Sequence, residues 1–368
     1  MGKPHIGILT YRNGHRFQEP GYFRRLISEG QKLGATVFLF SHEDAFEQKR
    51  MIRGFYPSAK GGWENKLFPW PDVVIDRCRK GSPGYRQFRK KKLFLYANNT
   101  YTNKWNATRL FMQDDAVQRW MPHTVAYSPE HLKEMLKKYR LLYIKPGNGT
   151  GGRSILKLTR TVEGYTVLGR DNRLVKKTAR FQTLPPLIRW LNRWVKTERI
   201  REGNFMIQQG LDLSLVPGRA TDTRLLIQKN ELGEWDITGL GIRIGGKNSS
   251  TSNLHGGGKA VPFESFMVQR FGPEKTKSIL LECRELARQV VQTIERHFGP
   301  MMEFGLDIGI DVNGRIWLIE VNPKPGREIF KRIGRMDLYR RSIQRPLLYA
   351  LYLLQASKRP PLNRENAG

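Results

Sequence analysis

The chain has 368 residues, with 64 Lys or Arg against 33 Asp or Glu, which leaves a formal net charge of +31. Its 39 % hydrophobic residues suffice for a sizeable core, while the excess charge bears on partners and suits nucleic acid, an anionic polymer, an anionic surface or a phosphate-rich substrate. Two isolated cysteines, Cys78 and Cys283, argue against a disulfide framework or structural zinc, and the apolar runs are too short for a signal-peptide core or a membrane span, so a soluble protein of a reducing compartment is expected.

Residues 1–100 have the pattern of an α/β domain. Ile6–Tyr11 reads as a strand, Tyr22–Leu33 as a helix and Thr36–Phe40 as a second strand, with further short apolar runs at Pro71–Ile75 and Leu93–Tyr96. Strands alternating with a helix predict a small parallel sheet. Between the last two runs, Arg77–Lys92 carries eight basic residues and no acidic one. It reads either as a solvated loop or as a contact for polyanions.

Asn103–Trp120 has helical spacing and is closed by Pro122; a second helix near Pro129–Tyr139 leads into the strand Leu141–Ile144. Leu184, Leu187, Ile188, Leu191, Trp194 and Val195 fall on one helical face, expected to turn to the core. Phe205–Gln209, Thr223–Gln228 and Asp236–Ile244 read as strands. Ile279, Cys283, Leu286, Val290 and Ile294 mark a long amphipathic helix that Phe298-Gly299-Pro300 stops. A hairpin and a basic helix follow. Residues 357–368, rich in Pro and charge, are expected to fray as a flexible tail.

The hairpin carries the strongest local signal. Asn313-Gly314 between alternating runs predicts a two-residue type I′ turn. Counting back along the ladder from Val312 opposite Arg315 puts Asp307 directly opposite Glu320. Leu306, Ile308, Ile310, Trp317, Ile319 and Val321 then share an apolar face, and Asp307, Asp311, Glu320 and Asn322 share the other. Like charges so placed repel, which predicts a raised carboxyl pKa unless a cation intervenes. Oxygen-only ligands favour a hard ion such as Mg²⁺. The bland alternative is a solvated polar face.

A second signal lies at Tyr143-Ile144-Lys145-Pro146-Gly147-Asn148-Gly149-Thr150-Gly151-Gly152-Arg153, where a strand ends in a lysine and a glycine-rich loop. Such a loop can aim backbone N–H groups at phosphate oxygens. It has neither the Walker A nor the Rossmann spacing. No Ser/His/Asp or Cys/His unit is apparent, and His5, His15, His42, His123, His131 and His297 have no metal-ligand spacing; His255, beside Gly256-Gly257-Gly258, is a candidate substrate contact.

Lys145-Pro146 with its loop, followed by Asp307 and by Glu320-Val321-Asn322-Pro323, resembles the ATP-grasp superfamily. The resemblance implies an α/β N-terminal domain (1–100) before an α+β ATP-grasp fold of two subdomains gripping ATP (101–205 and 206–356). It extends to the YheC/YheD group of endospore coat-associated proteins through Ile6-Gly7-Ile8-Leu9-Thr10 and Glu320-Val321-Asn322-Pro323-Lys324-Pro325-Gly326. On this resemblance Lys104 and Lys145 are the nucleotide-binding lysines, and Gly147, Gly149, Gly151, Gly152 and Arg153 close over the phosphates. Gln208, Gln209 and Leu211 border the adenine, with Gln209 where Glu is usual. Asp222-Thr223-Arg224 matches an Asp-x-Arg step. Arg243 and Asn253 meet the transferred phosphate and acceptor, and Asp307, Glu320 and Asn322 hold Mg²⁺, or Mn²⁺. The implied activity is a carboxylate–amine ligase passing through an acyl phosphate. Its substrates would be ATP, an unidentified carboxylate and a nucleophile. The implied setting is sporulation or the spore coat, with a cytoplasmic or coat-associated location and coat proteins as possible partners. The competing expectation is a polyanion-binding or structural coat protein with a vestigial ATP site.

Overall fold

Ile6, Ile8 and Leu9 are all inaccessible to solvent in the first strand, β1 (His5–Leu9), as in a strand covered on both faces. The structure, a computed structural model, describes residues 2–149, 152–198, 204–246 and 258–358. β1 pairs in parallel with β2 (Thr36–Phe40) and β5 (Val73–Asp76), and α1 (Pro20–Lys32) makes the crossover, with proline in its first turn. The sheet is mixed rather than parallel. An antiparallel hairpin of β3 (Met51–Pro57) and β4 (Trp63–Pro69) joins β2. It escapes pattern reading because the middle of β4, Glu64 to Leu67, is exposed without alternation. Leu93–Tyr96 is not a strand; it contributes one bridge, Tyr96 to Val74.

The basic segment Arg77–Lys92 is also not a loop. Ser82 caps α2 (Pro83–Lys90), its hydroxyl accepting from Tyr85 N–H at 3.2 Å. Arg77 and Arg89 are buried in ion pairs with Glu303 and Asp76, so part of this charge serves the interior.

α3 (Lys104–Gln113) starts on an Asn103 cap and ends earlier than its spacing predicts. Asp114, paired to Arg296 at 2.6 Å, takes the chain into an extended conformation there. The second sheet is antiparallel. It comprises β6 (Thr124–Ala126), β7 (Leu141–Pro146), β8 (Leu156–Thr161), β9 (Gly164–Arg170), β10 (Lys176–Phe181) and β11 (Phe205–Gln209), in the order β10-β9-β8-β7-β11-β6. α4 (Pro129–Lys138) and α5 (Leu184–Thr197) cover one face, and Leu187, Leu191 and Trp194 enter that core as the helical stripe predicts.

The third sheet runs β14-β13-β12-β15-β16, from β12 (Thr221–Lys229), β13 (Trp235–Ile244), β14 (Lys259–Pro262), β15 (Glu303–Ile310) and β16 (Ile316–Asn322). It is backed by α6 (Phe263–Phe298), which bends at Gly272-Pro273 and stops where Gly299 adopts φ +74°. Cys283 is buried there among Ile279, Leu286 and Val290. After α7 (Glu328–Arg332), the helix α8 (Met336–Lys358) returns to the first sheet. Its Leu338, Tyr339, Ile343 and Leu347 share a core with Ile6, Ile8 and Phe23. The expected tail lies, beyond residue 358, outside the described residues. Among the described residues no helix is long and apolar enough to cross a membrane.

The β15–β16 hairpin differs from the expected ladder in an instructive way. Its turn is not a two-residue one: Asp311 N–H donates to Arg315 O at 3.0 Å, leaving a three-residue loop with Gly314 at φ +83°. Asp311 accepts from the N–H groups of Asn313 and Arg315 and from Trp317 Nε1, so it belongs to the turn. Near the loop Ile308 therefore faces Leu318, and Ile310 faces Ile316. A bulge at Ile319 then adds the missing step, and Asp307 faces Glu320 after all. The core face carries Ile316 and Leu318 in place of Trp317 and Ile319.

Candidate active site

Alternation along β12 puts Asp222 and Arg224 on one face, and pairing extends that face across three further strands. Arg224 faces Asp307, which faces Glu320, while Asp222 faces Arg243. The carboxylates do not confront each other bare. Arg224 Nε donates to Asp307 Oδ1 at 2.6 Å, and Arg243 Nη2 lies 2.9 Å from Oδ2. Burial opposes ionisation of Asp307, but the two guanidinium groups outweigh it and hold the carboxyl down at about 2. The expected upward shift is thus reversed. Arg243 also makes a bidentate pair with Asp222, at 2.6 and 2.5 Å, and despite burial these carboxylates raise its pKa.

Glu320 finds its cation on α3, where Lys104 Nζ is 2.9 Å from Oε2. The start of that helix is fixed by the glycine loop. Trp105 N–H donates to Gly147 O at 3.0 Å, and Gly147 N–H donates to Asn204 O at 2.8 Å. A Cβ on Gly147 would lie 2.8 Å from both Asn204 O and Trp105 Cβ. Gly147 is therefore a packing glycine, and its N–H is spent on protein rather than offered to a phosphate. Gly149, Gly152 and Arg153 line the cleft, with Gly152 at φ +78°. Gly151, like Asn253 and His255, lies outside the described residues.

Lys145 enters from the second sheet. Its Nζ donates to Gln208 Oε1 at 2.7 Å, and Gln208 Nε2 donates to Thr124 Oγ1 at 2.9 Å. Burial, opposed by Glu320 and reinforced by Lys104, pulls the Lys145 ammonium down to about 8. Gln209 lines the cleft, its Oε1 accepting from His123 N–H at 3.3 Å, and Leu211 follows it on the same wall. The cleft has a volume of about 1030 Å³ and is bordered by Lys104, Lys145, Arg243, Asp307, Glu320 and Asn322. Of the residues singled out for nucleotide, metal or substrate in the sequence, the structure gathers all but Gly147 and the undescribed Gly151, Asn253 and His255 at this one cavity, while Asp311 of the predicted polar face stays in the turn. Arg224 is the site residue whose role was least legible, although its two-residue offset from Asp222 already placed the pair on one face.

Two sheets meeting at a cleft, with Lys145 of the second facing Asp307 and Glu320 of the third, define an ATP-grasp fold. The chain belongs to the YheC/D-like ATP-grasp family, whose sequence profile it matches over residues 94–353. It is 30% identical to the endospore coat-associated protein YheD of Bacillus subtilis, over 97% of this chain and 80% of that protein. With YheC of the same organism it shares 26% identity, over 89% of this chain and 90% of the relative. Among solved structures, the VanG D-Ala:D-Ser ligase of Enterococcus faecalis has the same fold at TM-score 0.56 and 11% identity, over 94% of this chain and 99% of that one.

Proposed function

We propose that the protein is a Mg·ATP-dependent ligase that joins a carboxylate to an amine through an acyl phosphate. The observation that carries this reading is the row Arg224–Asp307–Glu320–Lys104, with Arg243 and Lys145 beside it in one cleft. Two facing carboxylates are flanked there by cations, which suits neither a purely structural sheet face nor a hydrophobic ligand.

The donor set fits a hard cation. Asp307, Glu320 and Asn322 offer only oxygen, and since among the described residues no group of three or more His, Cys, Asp or Glu could hold a metal ion, phosphate and water would have to complete the shell. Mg²⁺ is the natural choice and Mn²⁺ the next, since Mg²⁺ takes few protein ligands and completes its shell with phosphate and water. Bound there, the ion would draw off charge from the β- and γ-phosphates.

The chain's own groups divide the remaining work. Lys145 and Lys104 hold the phosphates, with Gly149, Gly152 and Arg153 closing over them. Gln208, Gln209 and Leu211 border the base. Arg243 and Arg224, now turned to Asp307, are placed to receive the transferred oxygens. A substrate carboxylate oxygen attacks the γ-phosphorus, the bond to the bridging oxygen of ADP breaks, and an acyl phosphate results. The amine then attacks the acyl carbon, phosphate leaves, and the amine proton passes to solvent. Asn253 belongs to this scheme by resemblance alone. The relatives' names support a setting at the endospore coat; a cytoplasmic location is the alternative within the same proposal.

Incubating the protein with ATP, Mg²⁺ and pooled amino acids and peptides tests the reading. New amide masses with stoichiometric ADP are expected. Retention on DNA or polyglutamate without any ATP turnover would overturn it in favour of a polyanion-binding coat component.

A further inference from the structure

Where the N-terminal domain meets the segment after β16, positive charge exceeds negative. Arg79 and Lys324 line the cleft on this wall. Behind them Arg77 reaches Glu303 at 2.9 Å and Glu19 at 3.1 Å, and Arg327 takes the second oxygen of Glu303. Arg79 shares Glu19 at 3.0 Å. Arg89 and Lys324 share Asp76, at 3.2 and 3.1 Å, which also accepts from Tyr85 Oη and Cys78 N–H. Among the described residues five cations thus divide three carboxylates, and two of these, Glu303 and Asp76, are only 1% accessible. Arg77, Arg89 and Arg327 are buried against these three carboxylates, so Arg79 and Lys324, with side chains 40% and 19% exposed, bring the surplus positive charge to the cleft wall, where an anion can meet it.

The donors left over point to where that anion belongs. Arg79 bonds to Glu19 and to Lys324 O through Nη2, and its Nε and Nη1 make no hydrogen bond to described residues. Desolvation and the neighbouring Arg77 lower its pKa, opposed by Glu19. Arg79 and Lys324 open on the same cavity of about 1030 Å³ as Lys104 and Lys145, which lies at the top of the usual range for ligand pockets, roughly 300–1,000 Å³.

We infer that the carboxylate substrate carries a second anionic group, a carboxylate or a phosphate, that docks on Arg79 and Lys324. Naming this molecule as the acyl donor rests on the ligase reading; the unbalanced charge at the wall does not. A second anion here fixes the donor by one end, so that its other carboxylate is presented to the phosphate side of the cleft.

Calorimetric titration of the full chain with valerate, glutarate and 4-phosphonobutyrate, with and without Mg²⁺ and a non-hydrolysable ATP analogue, tests this. Glutarate or the phosphonate should bind about tenfold or more tightly than valerate, as a charge-assisted hydrogen bond provides. The better of the two tells a carboxylate from a phosphate. Arg79→Gln should remove the advantage, and Lys324→Gln reduces it, in protein whose melting curve shows it folded. Should Arg79→Gln fail to fold, Lys324→Gln alone carries the comparison. No preference for the dianions over valerate, including no binding of any of them, overturns the inference. A preference that survives Arg79→Gln, or that Lys324→Gln leaves undiminished, also overturns it. Failure of the ATP analogue to bind, with the dianion preference intact in its absence, would instead count against the ligase reading alone.

Discussion

Lys104 and Glu320 form an ion pair of 2.9 Å that joins the first turn of α3 to the last strand of the third sheet. Both groups are about a third exposed, so the pair adds little to folding, roughly 0.2–1 kcal/mol. Its weight falls on ligand binding. Lys104→Met is expected to leave the melting temperature nearly unchanged and to weaken an ATP analogue by about tenfold or more, the loss of one charge-assisted bond. Calorimetry checks this; unchanged affinity would remove Lys104 from the site.

Asp307→Asn should destabilise the protein. Two arginines hold this carboxylate ionised, and breaking a buried pair costs about 3–5 kcal/mol. The mere facing of Asp307 and Glu320 suggests the opposite, because it leaves the arginines out of account. The folded pKa lies below the ordinary carboxyl value, so this stability is present above about pH 4 and fades as pH falls towards 2. The variant should also lose the rise in Tm that Mg·ATP gives wild type, about 2.7 kcal/mol at a hundredfold excess over Kd. Melting curves in EDTA and in Mg·ATP decide both points.

Lys145 supplies a pH signature. With the ammonium lowered to about 8 against 10.5 unfolded, the unfolded chain binds more protons between these values, and stability from this group rises as pH climbs through that window. Binding runs the other way, since phosphate prefers the charged form. Affinity for an ATP analogue should therefore fall above pH 8, with proton uptake on binding. Lys145→Arg should flatten the pH dependence, and its persistence in that variant would show another group to be responsible.

Gly147→Ala tests the anchoring of α3. The added methyl meets Asn204 O and Trp105 Cβ at 2.8 Å, and overpacking of this kind costs about 1–3 kcal/mol. Because Trp105 neighbours Lys104, nucleotide affinity should drop although no ligand contact is removed. A stable variant with normal affinity would show that the loop can yield without moving the helix.

What was legible in the sequence depended on how local the determinant is. The facing of Asp307 and Glu320 follows from counting along one hairpin, yet the count succeeds because two departures cancel: a loop longer by one residue and a bulge at Ile319. The inner and outer faces near the turn were misassigned for the same reason. The arginines that neutralise Asp307 lie on strands far away in sequence, and strand order is set by packing rather than by local pattern. β4 has no alternation to betray it, and β10 alternates only between exposed and half-buried positions, most of them Lys, Thr or Arg. The basic run at Arg77–Lys92 looked like surface because two of its carboxylate partners, Glu19 and Glu303, come from distant segments, and the third, Asp76, sits just before it at the end of β5.

The return of α8 onto β1 and α1 bears on how the chain is made. Leu338, Tyr339, Ile343 and Leu347, which complete the core of β1, leave the ribosome more than 300 residues after Ile6 and Ile8. At about 5–20 residues per second that interval is on the order of tens of seconds. Throughout it Ile6, Ile8 and Phe23 lack part of their cover, so the nascent N-terminal sheet is a natural client for a chaperone.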